Sequence, residues 1–339
     1  MTFETGVELQ PYTSFHIPAK ARYFARFRSD AELLEALETY RKMRLEGLLV
    51  LGGGSNLLLR SDVDGLVLKN EIEGIEVLRT DKDHVYVRAG AGVNWHQLVL
   101  FCVRNHFAGM ENLSLIPGSV GASPMQNIGA YGVEIKDVFH ELEALHIPDG
   151  QMQTFFNAEC AFGYRESVFK RQYKGQYIIT SVTYRLNRKP VFHTEYGAIR
   201  QELDRMGIQD LSIQAISQAV INIRTSKLPN PDEVGNAGSF FKNPMIPNEQ
   251  FLLLKNDFPG IVAFPAGEGQ TKLAAGWLIE QCGWKGFRRG DAGCYPKQAL
   301  VLVNWGKATG EEIYQLSEEI IASVSAKFGV TLEREVNII

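Results

Sequence analysis

Leu48-Leu49-Val50-Leu51-Gly52-Gly53-Gly54-Ser55-Asn56-Leu57-Leu58-Leu59 is an apolar run interrupted by three glycines and two small polar residues. It reads as a strand, a tight loop and a second apolar segment, an arrangement in which backbone N–H groups can converge on phosphate oxygens. The dinucleotide fingerprint G-x-G-x-x-G fails, because a start at Gly52 needs a glycine where Leu57 stands. No Gly-Lys-Ser/Thr follows, so a P-loop is excluded. From this loop alone, a phosphate cradle of another kind and a glycine-rich hairpin without ligand both stay open.

Two further stretches bear on that choice. Ile116 to Gly132 places four glycines among Ser, Asn and Gln, together with Ile, Val, Met and Tyr. Glycine costs roughly 1 kcal/mol in a helix interior and weakens strands, so the segment reads as a loop folded closely around something flat or anionic. Asn236-Ala237-Gly238-Ser239-Phe240-Phe241-Lys242-Asn243-Pro244 sets a hydroxyl, an amide and a cation among aromatics. It reads either as a site or as a strand ending in a turn at Asn243-Pro244. A hydrolase elbow G-x-S-x-G is absent around Ser239, because Phe241 stands where the second glycine belongs.

Composition sets wider bounds. The 339 residues are 45% hydrophobic and 22% charged, enough for two or three domains with real cores. A net charge of -4 and no basic run argue against a nucleic-acid surface. Cys102, Cys160, Cys282 and Cys294 lack CxxC spacing and a nearby histidine pair, so no metal is expected and reduced thiols are. The first residues carry no basic and apolar leader, and no uncharged apolar run of about 20 residues occurs, so the expectation is a cytoplasmic monomer without a membrane span.

Helix-like and strand-like segments alternate without a repeat. Ser29-Asp30-Ala31-Glu32 reads as a capping box opening a helix to about Met43, with a strand at Leu48 to Leu51. His84 to Gly90 alternates as a half-buried strand, and Trp95, Leu98, Val99, Cys102 and Val103 fall at helical spacing. A strand is expected from Tyr173 to Leu186 and a domain boundary near the prolines after Lys227. Beyond it come a helix from Lys272 to Cys282 stopped by Gly283, a strand from Gln298 to Val303 and a helix from Thr309 to Gly329. The last expected strand, Thr331 to Ile339, carries Glu333 and Glu335 on one face.

Together these stretches resemble the bacterial UDP-N-acetylenolpyruvoylglucosamine reductases, flavoenzymes of cell-wall precursor synthesis. The resemblance covers nearly the whole chain. Its carriers are Gly52 to Asn56, Ile116 to Glu134, Gly163-Tyr164-Arg165-Glu166-Ser167, Arg224 to Pro231, Gly235 to Pro244 and Leu332 to Val336. It implies an α+β fold of three domains: two N-terminal α/β domains of the FAD-binding PCMH/VAO type, at 1–70 and 71–228, and a C-terminal α+β substrate domain at 229–339 whose last strand returns to the flavin. The Tyr196 segment looks like the insertion of the type I branch.

The resemblance also implies roles. Gly52, Gly53, Gly54, Ser55 and Asn56 would bind the FAD pyrophosphate, and Ser119, Gly121, Ser123, Asn127, Gly129 and Tyr131 would lie along the ring and ribityl chain. Tyr196, Lys227, Asn243 and Gln298 would contact the sugar nucleotide or NADPH. In the implied reaction, hydride passes from flavin N5 to the enolpyruvyl CH2 carbon of a UDP-linked amino sugar and throws negative charge into the adjacent carboxylate. Arg165 and Glu335 would meet that charge, and Ser239 would protonate the neighbouring carbon. NADPH and the sugar would use one space in turn, giving ping-pong kinetics. Taken locally, Arg165 and Glu335 also suit surface salt bridges, and Ser239 a turn cap. A flavin oxidase on the same scaffold and a flavin-free nucleotide-sugar binder are the competing functions.

Overall fold

The computed structural model describes residues 1–339. Its contacts form two compact units: unit 1 is Met1–Val7, Ala21–Gly53 and Asp64–Ser226, and unit 2 is Glu8–Lys20, Gly54–Val63 and Lys227–Ile339. The segments expected from sequence are 1–70, 71–228 and 229–339. The early stretches of unit 2 belong with its C-terminal part because Phe15, Ile17 and Leu58 are buried in one core with Phe240, Leu278, Leu302 and Val324.

Unit 1 holds two sheets. In the first, the strand order is β1 (Glu4–Glu8), β2 (Lys20–Phe27), β5 (Val63–Asn70) and β3 (Leu48–Leu51), with β3 and β5 parallel. Helix α1 (Asp30–Lys42) buries Leu33, Ala36 and Leu37 against it. Ser29 caps α1 by accepting from Glu32 N at 3.2 Å, but the Glu32 carboxylate takes Arg28 N rather than Ser29 N, so the capping box is displaced by one residue.

The second sheet runs β11 (Met152–Phe156), β10 (Phe139–His146), β12 (Tyr177–Asn187), β7 (His84–Gly90) and β6 (Ile75–Thr80). Helix α2 (Trp95–Arg104) buries the five residues its spacing predicts, each Leu or Val contributing about 1.5–3 kcal/mol. Trp95 also donates to Leu113 O at 2.9 Å. The strand expected from Tyr173 begins at Tyr177, because Tyr173–Gln176 closes a turn, Gln176 N donating to Tyr173 O at 3.0 Å. Helices α3 (Gly197–Arg205) and α4 (Ile213–Lys227) share a small core of Ile199, Leu203, Ile216 and Val220.

Unit 2 contains a sheet ordered β13 (Gly235–Ser239), β19 (Val301–Asn304), β18 (Ala292–Cys294) and β17 (Arg288–Arg289). A second is ordered β14 (Met245–Pro247), β16 (Gln270–Leu273) and β15 (Ala263–Pro265). Helix α5 (Asn248–Asp257) follows β14. Because β16 is a central strand paired on both edges, Lys272 and Leu273 belong to its ladder, and helix α6 is confined to Ala275–Gln281. The strand expected from Gln298 starts only at Val301, after a turn in which Val301 N donates to Gln298 O at 3.1 Å.

Helix α7 (Gly310–Phe328) opens on a complete Thr309/Glu312 capping box and ends at Gly329 with φ 63°. Of the expected strand Thr331–Ile339, only β20 (Asn337–Ile338) is regular, parallel to β4 (Leu57–Leu58). Two short strands, β8 (Gly129–Ala130) and β9 (Val133–Glu134), make a hairpin in unit 1. No helix is long and apolar enough to cross a membrane.

Candidate active site

In unit 1 the first glycine loop is shaped by the second. A Cβ on Gly52 would lie 2.3 Å from Ser119 Oγ, and one on Gly53 would lie 2.7 Å from Gly118 Cα. The second loop is fixed in turn by main-chain bonds, Val120 N to Val93 O and Gly121 N to Ala91 O, both 2.9 Å. Lys69 Nζ, half-buried, donates to Gly52 O at 2.7 Å and so pins that carbonyl.

Farther along, Ser123 and Asn127 direct their side chains into the protein. Ser123 Oγ donates to Val120 O and shares a hydrogen bond with Tyr184 Oη, both 2.8 Å. Asn127 Nδ2 donates to Glu134 Oε2 and Gly163 O, both 3.0 Å, while Oδ1 accepts from Lys136 N at 3.2 Å. Asn127 therefore anchors the turn at Gly163 that presents Arg165.

Arg165 has φ 55°, a left-handed conformation costing on the order of 1 kcal/mol in a non-glycine residue. Its Nη2 donates to Gly129 O at 2.7 Å. A Cβ at Gly129 would sit 2.9 Å from Val133 O and 3.3 Å from Arg165 Nη1, so glycine is what permits this approach. Tyr131, also left-handed with φ 51°, meets the Tyr196 ring edge-on at 5.4 Å. Its hydroxyl hydrogen-bonds Arg224; burial raises the Tyr131 pKa and Arg224 opposes the rise. Arg224 has its own pKa lowered by burial, and its Nε donates to Leu115 O at 3.1 Å. Tyr196, exposed, precedes the first turn of α3.

Unit 2 brings together the segments of Ser239 and Glu335. The β13/β19 register slips between Asn236 and Ser239, where Gly238 takes φ 69° and its N–H bonds Asn236 Oδ1 at 2.9 Å. Ser239 emerges exposed. Beyond it, Lys242 N donates to Glu333 O and Glu335 N to Phe240 O, each at 2.8 Å, around an antiparallel bridge between Phe241 and Arg334. The buried Lys242 ammonium pairs with Glu333 at 2.5 Å. Glu335 is half-buried, and Asn56 Nδ2 donates to its carbonyl at 3.2 Å.

The proposed sugar contacts in unit 2 cluster at the start of α6. Asn243 Oδ1 accepts from Ala275 N at 2.9 Å and caps the helix. Gln298 Oε1 would be 2.9 Å from a Cβ on Gly276. Lys227 is exposed at the last residue of α4. The residues expected from sequence thus fall into two groups, Arg165, Tyr131 and Tyr196 in unit 1, and Ser239, Asn243, Gln298 and Glu335 in unit 2.

The glycine segment fits an FAD diphosphate. Gly53, Gly54 and Ser55 direct their N–H groups to no acceptor within the protein. Gly54 has φ 60°, and its Cβ would strike Tyr12 O at 2.0 Å. Beside it, Thr13 Oγ1 is buried without a partner. Donors of this kind suit phosphate oxygens. Sequence reasoning missed Lys69, Thr13, Arg224 and Asn112. Only Arg224 had a signal, its place three residues before Lys227 in a motif already singled out.

Known proteins resemble this chain along most of its length. Residues 21–155 match the model of an FAD binding domain, and residues 230–339 match the C-terminal domain of UDP-N-acetylenolpyruvoylglucosamine reductase. The chain is 51% identical over 339 residues to the protein of that name from Amoebophilus asiaticus, covering 100% of both. It is 50% identical to the one from Pseudomonas syringae pv. tomato, covering 99% of this chain and 98% of the relative. A crystal structure of the Thermus caldophilus reductase aligns with a TM-score of 0.67 at 26% identity, covering 100% of this chain and 99% of that one. At half identity from end to end, the chain belongs to the UDP-N-acetylenolpyruvoylglucosamine reductase family.

Proposed function

We propose that the chain catalyses the NADPH-driven, FAD-dependent reduction of UDP-N-acetylglucosamine enolpyruvate to UDP-N-acetylmuramate, in peptidoglycan precursor synthesis, with Arg165, Ser239 and Glu335 as its catalytic residues. The observation that carries the assignment of residues is the ladder joining Phe240 to Glu335, which puts the hydroxyl and carboxyl segments in fixed register. FAD, when bound, supplies the hydride it has taken from NADPH to the enolpyruvyl CH2 carbon.

Gly52 to Asn56 would hold the diphosphate, and the backbone from Ser119 to Tyr131 would follow the rest of the cofactor. Arg165 forks its N–H donors onto the substrate carboxylate, where charge accumulates. Glu335 meets the same charge. Ser239 donates its proton to the carbon next to the one that receives hydride; a hydroxyl is acidic enough for a strongly basic dianionic enolate once held in place. Tyr196, Lys227, Asn243 and Gln298 bind the sugar nucleotide, Lys227 as a point charge for phosphate. Segments 1–70 and 71–228 serve FAD, the second also lending Arg165, Tyr196 and Lys227 to the substrate, and 229–339 serves the substrate. The unpaired Cys102, Cys160, Cys282 and Cys294 support a cytoplasmic address; the protein acts as a monomer.

The test is anaerobic. The yellow protein is bleached with NADPH, and UDP-N-acetylglucosamine enolpyruvate is added without air. Return of the flavin band with formation of the lactyl ether is the expected result. Return only on admission of oxygen would make the protein an oxidase, and a protein that takes up no flavin would be a binder.

A further inference from the structure

The turn Glu111–Leu113 is buried and carries an amide for which the proposed chemistry has no use. Asn112 is 1% exposed, and its Nδ2 donates to Tyr131 O at 3.1 Å and to His193 O at 2.9 Å. Both N–H bonds of one planar group are thus committed to carbonyls 19 and 81 residues away in sequence. The turn itself is held firmly: Ser114 Oγ donates to Glu111 O at 2.7 Å and shares a hydrogen bond with Ser217 Oγ of α4 at 2.8 Å.

What the amide holds is packed by Phe192, which lies against two cores, and by the buried Thr194, but its main chain has few ties of its own. Val191–Glu195 makes no other backbone hydrogen bond, and Val191 is 60% exposed. His193 lies three residues before Tyr196, whose ring stands at 88° to that of Tyr131. A ring pair of this type and the packing of Phe192 are apolar contacts that leave the direction of the main chain at His193 unfixed. The amide therefore does what the segment's own backbone does not, by fixing one end of it to the loop that carries Tyr131.

We propose that Asn112 is a positioning residue that clasps the Tyr196 segment to the Tyr131 loop and thereby sets affinity for the sugar nucleotide. The proposal rests on the reading that Tyr196 binds that substrate. Steady-state kinetics are measured on the FAD-loaded Asn112→Ala, Tyr196→Ala and double variants. Asn112→Ala is expected to raise KM for UDP-N-acetylglucosamine enolpyruvate on the order of 10-fold with kcat within about threefold and bound FAD unchanged. In the Tyr196→Ala background it should have no further effect on KM.

If the two effects on KM multiply, or if Asn112→Ala lowers thermal stability with KM unmoved, the clasp is overturned while Tyr196 keeps its role. If Tyr196→Ala leaves KM unchanged, the reading of Tyr196 falls and the clasp with it. Should Asn112→Ala fail to fold, Asn112→Ser, which offers one donor in place of two, is scored by the same cycle.

Discussion

The main-chain N–H of Glu335 donates to the carbonyl of Phe240 at 2.8 Å, so the carboxyl assigned to the reacting centre is tied to the residue that follows the assigned proton donor, Ser239. A backbone bond of this kind survives side-chain replacement at either end. Substitutions at Ser239 and Glu335 therefore report chemistry more than folding.

Ser239→Ala should leave reduction of the flavin by NADPH intact while slowing the second half-reaction by orders of magnitude. Rapid mixing of each half-reaction separates the two. Equal slowing of both would remove Ser239 from the proton-donor role.

Two carboxylates share the C-terminal segment, and they should differ sharply. Glu335→Gln is expected to lower the rate of the substrate half-reaction about 10²–10³-fold, as loss of one group meeting developing charge does. Glu333→Gln should leave that rate within about threefold, since Glu333 is largely exposed and its carboxylate pairs with Lys242. The reverse ranking would exchange their roles.

Gly53→Ala places a methyl group against the Gly118 backbone, where no flexible side chain can yield. The two loops must separate, and FAD retention after gel filtration should fall at least about 10-fold with the far-ultraviolet spectrum preserved. A variant that keeps its flavin would show that the loop does not cradle the cofactor.

Glu111 gives a pH signature. Burial raises its carboxyl pKa, against the opposing pull of Gly109 N–H, and Oε1 has no partner. A folded-state value above the unfolded one means the proton binds the native form more tightly. Its contribution to stability is then full below the unfolded carboxyl pKa and is lost as pH rises through the folded value, each tenfold tightening of the proton being worth about 1.4 kcal/mol. Glu111→Gln should flatten the fall in melting temperature that sets in as pH rises above the ordinary carboxyl range, about pH 4. Parallel profiles for the two proteins would contradict the assignment.

The local grammar of the chain is readable where one element determines itself. Helix α2 buries the five residues its spacing predicts, and α7 begins and ends at its Thr309 box and Gly329. Readings fail where a distant partner decides. Lys272 carries a helical pattern with its successors but is claimed by strands on both sides. The partners of the Ser123 and Asn127 side chains, Tyr184 and Gly163, stand 61 and 36 residues away and are likewise invisible in the loop's own sequence. Asn112 offers no signal, since a lone amide in Glu-Asn-Leu-Ser is as good a turn residue as a clasp.

The pairing of β4 with β20 has a consequence for the newborn chain. Leu57–Leu58 is translated well before its partner Asn337–Ile338, and the core around Phe15 and Leu58 waits on Phe240, Leu302 and Val324. Contacts so far apart in sequence form slowly, and until they do, apolar residues and a strand edge stay uncovered. Unit 2 is thus the part of the molecule for which a ribosome-associated holdase should matter most, and an arrest of translation after about Ser226 would leave its early pieces with nothing to fold upon.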